Sequence, residues 1–132
     1  MLLSEQEIRQ RLTQAFVCNQ PPEYPYPSPP FQENPQSAAV LIPFLQIENR
    51  WHLLFIRRSI QPNDPHGGQV AFPGGRREPE DTDIQSVALR EAKEEIGLLP
   101  EDVHIWGQIR DLMTITHYRV TPFVGRMPWP YP

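Results

Sequence analysis

The sequence is poor in cysteine, in net positive charge and in long hydrophobic runs. Its one cysteine among 132 residues, Cys18, excludes a disulfide within the chain and is consistent with a reducing compartment. The net charge of −4 leaves no bulk positive charge for binding nucleic acid. Because no apolar run is long enough for a secretion signal or a membrane span, we expect a cytoplasmic protein that makes no membrane contact.

The length permits one domain with a hydrophobic core, preceded by a segment of different character. A capping-box pattern at residues 4–7 predicts a short peripheral helix that ends at about Phe16. Residues 21–35 are dense in proline, which predicts an extended arm because proline disfavours a helix interior and a central strand. We therefore predict an N-terminal helix and proline-rich arm over 1–35 and a main domain over 36–132.

Four apolar segments rich in β-branched and aromatic residues are strand candidates. Ala38–Ile47 and Trp51–Arg57 are separated by three polar residues and predict a hairpin. Val103–Ile109 and Tyr118–Val124 follow later in the chain. A helical pattern lies between these two pairs, so the sequence predicts an α/β fold with a mixed sheet.

The helical pattern places three glutamates on one face. Glu91, Glu94 and Glu95 stand at i, i+3 and i+4, which brings them within roughly a third of the helix circumference. Converging carboxylates repel one another unless a cation lies between them. Oxygen ligands with no His or Cys in the motif suit Mg²⁺ or Mn²⁺ better than Zn²⁺. The pattern therefore predicts a metal site, and a solvated acidic helix face is the alternative.

Sequence signals mark both ends of this helix and the turn before it. Residues 82–85 form a capping-box pattern that predicts the helix start at Thr82, and Gly97 stands where a helix commonly ends. Gly74 and Gly75 predict a tight turn that presents its backbone groups to a ligand. An apolar stripe that would pack on the core consists of Ile84, Ala88, Ala92 and Ile96.

The turn and helix together resemble the Nudix box of the Nudix hydrolase superfamily. The second half of that box is Arg-Glu, an aliphatic residue, any residue, Glu-Glu, any residue, Gly and an aliphatic residue, which residues 90–98 match with Ala92 at the first aliphatic place. In the first half, the acidic position after Gly75 falls on Asp81, with Glu78 and Glu80 as nearby substitutes. The resemblance implies a Nudix-type α/β/α sandwich. It also implies further C-terminal strands and a helix, so the C-terminal part of the domain is expected to be missing.

The residues before the box resemble one subfamily, the coenzyme A diphosphatases. That subfamily has an Asp with the longer spacing, preceded by the stretch LL…RS…H-x-GQ-x-x-FPGG. The matching segments here are Leu53-Leu54, Arg58-Ser59, His66-Gly67-Gly68-Gln69 and Phe72-Pro73-Gly74-Gly75. Between Ser59 and His66, where the subfamily usually has a basic residue, this sequence reads IQPNDP.

The resemblance implies hydrolysis of coenzyme A or an acyl-CoA to 3′,5′-ADP and the 4′-phosphopantetheine product. It assigns Mg²⁺ or Mn²⁺ to Glu91, Glu94, Glu95 and the Gly75 carbonyl, and it gives Arg90 the role of orienting the carboxylates. Glu94, or else Glu95, would act as the general base. The expected substrate-binding residues are Arg57, Arg58, His66, Gln69, Gly74 and Arg76.

Two other functions remain open from the sequence. The same chemistry would serve ADP-ribose or another nucleoside diphosphate derivative. A Nudix scaffold could instead bind a nucleotide without cleaving it, although three retained carboxylates argue against that role. In each case the expected partner is a small-molecule nucleotide, with a homodimer as a further possibility.

Overall fold

The computed structural model describes residues 3–17, 35–58, 62, 68–114 and 117–132. The predicted proline-rich arm before Pro35, Cys18, Ser59 and His66 lie outside the described residues. The helices are α1 (Glu5–Val17) and α2 (Ile84–Ile96), with a short 3-10 helix at Pro100–Asp102. The strands are β1 (Gln36–Ile47), β2 (Arg50–Leu53), β3 (Ile56–Arg57), β4 (Val70–Ala71), β5 (Gly74–Arg76), β6 (His104–Gln108), β7 (Leu112–Met113) and β8 (Tyr118–Arg126).

Two long strands, β1 and β8, form the parallel centre of a mixed sheet. Their register runs from Gln36 opposite Tyr118 to Phe44 opposite Arg126. Strands β2 and β5 pair with β1, and β6 and β7 pair with β8, all four antiparallel. Strands β3 and β4 pair separately as a two-stranded ribbon. The predicted mixed sheet and α/β class are confirmed.

The predicted hairpin is present, but its second strand is shorter than expected. Strand β2 ends at Leu53, where the prediction continued to Arg57. The backbone amide of Leu54 donates to the Pro43 carbonyl at 3.1 Å, and the Leu54 side chain packs against the core. The chain then leaves the main sheet and continues as β3, which pairs with β4.

One face of the sheet packs against α2. Successive side chains of a strand point to opposite faces, and on β1 the fully buried Ala39 and Leu41 lie on the α2 side. They meet the predicted apolar stripe, in which Ala88 and Ala92 are also fully buried. The other two stripe residues, Ile84 and Ile96, are partly buried against the same cluster. The predicted packing of this helix is confirmed.

The opposite face packs against α1. Phe44, Trp51 and Trp106 form an aromatic cluster there, with ring centroids 5.3–6.1 Å apart. The carboxylate of Glu5 accepts hydrogen bonds from Trp106 Nε1 at 2.8 Å and from Arg126 Nη1 at 2.7 Å. The helix expected to be peripheral is therefore tied to the sheet and completes the α/β/α layering. The division of the chain at residue 35 stays a prediction.

Both ends of α2 carry caps, and the first lies one residue later than predicted. The N-cap is Asp83 rather than Thr82, because the Asp83 carboxylate reaches the Ser86 amide at 2.7 Å. The Thr82 hydroxyl lies 3.1 Å from the Ser86 hydroxyl instead. At the other end Gly97 adopts a left-handed conformation with φ 70° and donates to Lys93 O, which confirms the predicted stop. No helix in the described ranges is long and apolar enough to cross a membrane.

Candidate active site

The glycine turn lies directly against α2. Leu41 N donates to Pro73 O at 2.8 Å, and β5 then pairs with β1. A Cβ atom added to Gly75 would lie 2.6 Å from the Glu91 carboxyl carbon, so only glycine leaves room for that carboxylate. A Cβ atom on Gly74 would lie 2.5 Å from the backbone carbonyl oxygen of Ala39. Each glycine therefore permits a different close approach, Gly74 to the sheet and Gly75 to the helix.

Glu91 and Glu95 face each other beside this turn. The pKa of Glu95 is raised to about 7. Desolvation is the largest cause, and the hydrogen bond with Glu91 and the negative charge of Glu91 add to it. A backbone hydrogen bond from Gly74 and the positive charge of Arg58 act in the opposite direction. The two carboxylates therefore resist being charged together, and a cation between them would relieve that repulsion.

Arg90 connects the loop before α2 to the helix itself. Its guanidinium forms a two-pronged contact with Asp81, in which Nε and Nη2 each donate to one carboxylate oxygen at 3.0 Å. The Asp81 side chain is only 4% exposed, and the guanidinium holds its pKa below the ordinary range. Asp81 also accepts a hydrogen bond from the Glu78 amide at 2.8 Å, and the choice of Asp81, Glu78 or Glu80 for the acidic position of the box stays a prediction.

The same guanidinium holds carboxylates on α2. Nη1 of Arg90 lies 2.9 Å from Glu91 Oε1 and 3.4 Å from Glu94 Oε1. Nη2 also donates to the backbone carbonyl of Arg76 at 3.1 Å, at the end of β5. The orienting role expected of Arg90 is in keeping with these contacts, because one side chain fixes Glu91 relative to the glycine turn.

The three predicted carboxylates do not meet at one point. Glu91 and Glu95 line a cavity, whereas the Glu94 side chain is 57% exposed and pairs with Arg90 outside the described cavity lining. Among the described residues, no group of three or more His, Cys, Asp or Glu side chains is arranged to hold a metal ion. The ligand and base roles of Glu94 stay predictions.

The cavity has a volume of about 950 Å³ and lies between the glycine turn, the ribbon and the start of β8. Carboxylates and arginines share its lining, so it offers ligands to a cation and donors to an anion. Five predicted substrate-binding residues line it, namely Arg57, Arg58, Gln69, Gly74 and Arg76. The sixth, His66, lies outside the described residues.

One part of the cavity wall was not predicted as part of the site. It is formed by Thr114, Tyr118 and Val120. The sequence analysis identified Tyr118 only as the first residue of a strand candidate. The parallel register brings it to the cavity, because Gln36 at the start of β1 lies opposite Tyr118. Thr114 carries no local signal that would have singled it out.

Comparison with known proteins gives a consistent result. The model of the NUDIX domain matches residues 35–127. An uncharacterized Nudix hydrolase NudL from Yersinia enterocolitica is 38% identical over 96% of this chain, and one from Escherichia fergusonii is 43% identical over 72% of it. The chain spans 64% and 48% of the length of these two relatives.

Solved structures agree on the fold. An Ap4A hydrolase from C. elegans, in a binary complex, has a TM-score of 0.61 at 23% identity, covering 72% of this chain and 68% of its own. The Nudix hydrolase RenU from M. smegmatis has a TM-score of 0.57 at 23% identity, covering 72% and 63%. The NUDIX domain of Shewanella oneidensis NrtR, in complex with ADP ribose, has a TM-score of 0.53 at 15% identity, covering 98% and 73%. The domain match and the relatives' identity together show that this chain belongs to the NUDIX domain family.

Proposed function

We propose that this chain hydrolyses the diphosphate linkage of a nucleotide derivative with the help of Mg²⁺ or Mn²⁺, and that its substrate is coenzyme A or an acyl-CoA. The observation that carries the proposal is the placement of opposite charges in one cavity. Glu91 and Glu95 lie at the glycine turn, and Arg57, Arg58 and Arg76 line the same space. A diphosphate and the cation that accompanies it need this combination.

The donor atoms at the turn suit a hard divalent cation. Glu91 and Glu95 offer carboxylate oxygens, and the backbone of Gly75 lies against the Glu91 carboxylate. These groups would hold the ion, with Glu94 joining them from the same helix. When bound, the cation supplies positive charge against the diphosphate oxygens and acidifies the attacking water.

The arginines of the cavity would bind and orient the diphosphate. Guanidinium groups donate in a fixed planar fork that matches phosphate oxygens. Since the chain as a whole carries a net charge of −4, an anionic substrate would be drawn by these side chains and not by the overall field. Gly74 and Gly75 would let the substrate approach the backbone closely.

A carboxylate in the cavity would take the proton from the attacking water. Glu94 is the base expected from the sequence, with Glu95 as the second candidate. Glu95 lines the cavity, whereas Glu94 pairs with Arg90. This geometry favours Glu95 as the base, through an oxygen that does not bind the ion, because a general base must lie within hydrogen-bond reach of the proton that it accepts.

The coenzyme A assignment is the finer part of the proposal. It is supported by the match of residues 53–75 to the stretch that precedes the box in coenzyme A diphosphatases. ADP-ribose is the alternative substrate, and the NrtR domain that shares this fold was solved with that ligand. Both contain a diphosphate, so the same carboxylates and arginines would serve either.

A product-resolved hydrolysis assay tests the proposal. Coenzyme A, acetyl-CoA, ADP-ribose and NADH are incubated with Mg²⁺, with Mn²⁺ or with a chelator, and the products are separated by chromatography. The variants Glu91→Gln, Glu94→Gln and Glu95→Gln are compared with Glu101→Gln, an exposed glutamate on the short 3-10 helix outside the cavity lining. We expect release of 3′,5′-ADP from coenzyme A, loss of about 10²-fold or more in Glu95→Gln, and no change in Glu101→Gln.

The other outcomes are equally informative. Preference for ADP-ribose would keep the chemistry and remove the coenzyme A assignment. Full activity in Glu95→Gln together with loss of activity in Glu94→Gln would assign the role of general base to Glu94. Metal-independent binding of these nucleotides without any product would overturn the hydrolase proposal and leave a nucleotide-binding module.

A further inference from the structure

The β3–β4 ribbon beside the cavity has an exposed apolar face. Arg57 pairs with Val70 and Ile56 with Ala71. Beyond these pairs, Phe55 and Phe72 stack with centroids 4.5 Å apart and planes inclined by 24°. Phe55 is 51% exposed and Val70 is 66% exposed. We call Phe55, Val70 and Phe72 the apolar rim, because neighbouring exposed apolar side chains of this kind mark contact surfaces more often than isolated ones do.

The apolar rim is continuous with the proposed active site. Val70 lies on β4, and Phe72 follows the end of that strand and stacks on Phe55. Phe72 also lines the cavity, as does Arg57, the cross-strand partner of Val70. A ligand whose anionic centre lies over the arginines would therefore meet the apolar rim as it leaves the cavity.

We propose that the apolar rim binds the flexible apolar arm of the substrate, the acyl-pantetheine part of an acyl-CoA, and thereby sets substrate preference. This inference rests on the proposed function of the cavity. The shape of the rim favours an arm over a purine base, because stacking already covers one face of each ring and the exposed surface extends from Phe55 to the aliphatic Val70. What remains is a strip of ring face, ring edge and the aliphatic Val70, which follows a flexible chain better than it supports one planar ring.

Kinetics with a series of acyl chains test this role. If the chain lies along the rim, octanoyl-CoA should be cleaved with a kcat/KM roughly tenfold above that of acetyl-CoA, since each added methylene gains partial burial. In Phe55→Ala that ratio should fall to about twofold or less. Hydrolysis of ADP-ribose, which carries a sugar in place of the arm, should stay unchanged in the same variant.

Two further variants separate recognition from folding. Trp129→Ala removes an aromatic side chain of similar exposure, 47%, that does not belong to the ribbon, and it should keep the full chain-length dependence. Val70→Thr keeps the size and branching of the side chain and changes only its polarity. It should lower the octanoyl to acetyl ratio by about threefold without a change in Tm. If Phe55→Ala unfolds, Val70→Thr decides the outcome.

A binding measurement separates failure of this inference from failure of the proposed function. Octanoyl-pantetheine has the apolar arm and lacks the diphosphate, so calorimetric titration with it tests the rim without catalysis. Binding by the unmodified chain and its loss in Val70→Thr would support the rim even if no substrate is cleaved. No binding, or a chain-length ratio that survives both rim variants, would overturn the inference. An equal loss of kcat/KM for ADP-ribose and acyl-CoA in the rim variants would also overturn the inference, and it would indicate that the rim binds the adenine base.

Discussion

The two faces of the sheet are packed by different means. On the α2 face the buried cluster includes three alanines, Ala39, Ala88 and Ala92, beside larger aliphatic side chains such as Leu41. On the α1 face they come from large rings joined to the carboxylate of Glu5. Small residues let a helix backbone approach a strand closely, whereas rings fill a wider gap and rely on a few polar anchors.

Because the two faces are packed differently, substitutions on them should affect different properties of the protein. The position of the Glu91 carboxylate depends on how closely α2 lies against β5, so a small displacement there should affect activity more than stability. The α1 layer contributes area and anchoring on the far side of the sheet, so a change there should affect stability more than activity. The following substitutions test that separation, beginning with the largest expected effect.

Two adjacent glycines should respond in opposite ways. In Gly75→Ala the new methyl group would contact only the end of the flexible Glu91 side chain, which moves aside at little cost in stability. We expect a loss of about 10²-fold in kcat/KM with nearly unchanged Tm, because a displacement of about 1 Å at a reacting group is enough for that loss. In Gly74→Ala the methyl group would contact backbone atoms of Ala39 and Val40, which cannot move aside. That variant should lose about 1–3 kcal/mol of stability.

The measurements are thermal unfolding and hydrolysis rates for both variants side by side. A large fall in Tm for Gly75→Ala with normal activity in the remaining folded protein would contradict the separation of site from fold. Equal stability of the two variants would show that the sheet tolerates the Gly74 methyl group.

Asp81→Asn should lower both stability and activity. It removes the charge from the two-pronged contact with Arg90, which in turn holds Glu91. We expect a loss of about 2 kcal/mol in the free energy of unfolding, since hydrogen bonds to charged groups contribute on the order of 1.5–3 kcal/mol. The measurement is urea denaturation, with the exposed neighbour Glu80→Gln as the matched control. A variant as stable as that control would show that the contact adds nothing to folding.

The contribution of Asp81 should also depend on pH in a defined direction. Its pKa in the folded chain is lowered below the ordinary value of 3.8, chiefly by Arg90, so the stabilisation is fully present above that ordinary value. It should be lost as the pH falls through the lower folded-state pKa. The difference in stability between the chain and Asp81→Asn, measured by urea denaturation, should therefore be full at about pH 6 and should shrink as the pH falls below 3.8. A constant difference over that range would contradict the role of charge.

Glu5→Gln should give the smallest effect, and only on stability. It removes the charge that pairs with Arg126 across the far face while leaving an oxygen for Trp106. Both partners of the ion pair are more than 30% exposed, so we expect a loss of about 0.5–1 kcal/mol and unchanged kcat/KM. The measurement is urea denaturation together with the hydrolysis assay. A fall in kcat/KM larger than twofold would show that the α1 layer reaches the site.

Local features of the structure could be predicted from the sequence. The stripe that includes Ala88 and Ala92, the stop at Gly97 and the strands around α2 follow from periodicity and caps. The N-cap was misplaced by one residue, because Thr82 and Asp83 are both good caps and only the fold decides between them.

Features that depend on distant partners could not be predicted. Glu5 is separated from Arg126 by nearly the whole described chain, and no local pattern joins them. Arg90 contacts both Glu91 and Glu94, yet the Glu91 side chain is 16% exposed and that of Glu94 is 57% exposed, a difference that depends on the glycine turn beside Glu91 and that helical spacing alone does not predict. Thr114 enters the cavity wall only because β8 returns beside β1.

The parallel pairing of β1 with β8 also sets the order of events when the protein is made. The central pair of strands can form only after Tyr118, which lies opposite Gln36, has been synthesised. Contacts between residues so far apart in the chain form late, because closing the intervening loop costs entropy before the pairing returns any stability. The residues of the Nudix helix and its caps are therefore synthesised before the cavity wall at Tyr118 and Val120. A chain still bound to the ribosome would therefore contain Glu91 and Glu95 before the cavity around them is complete.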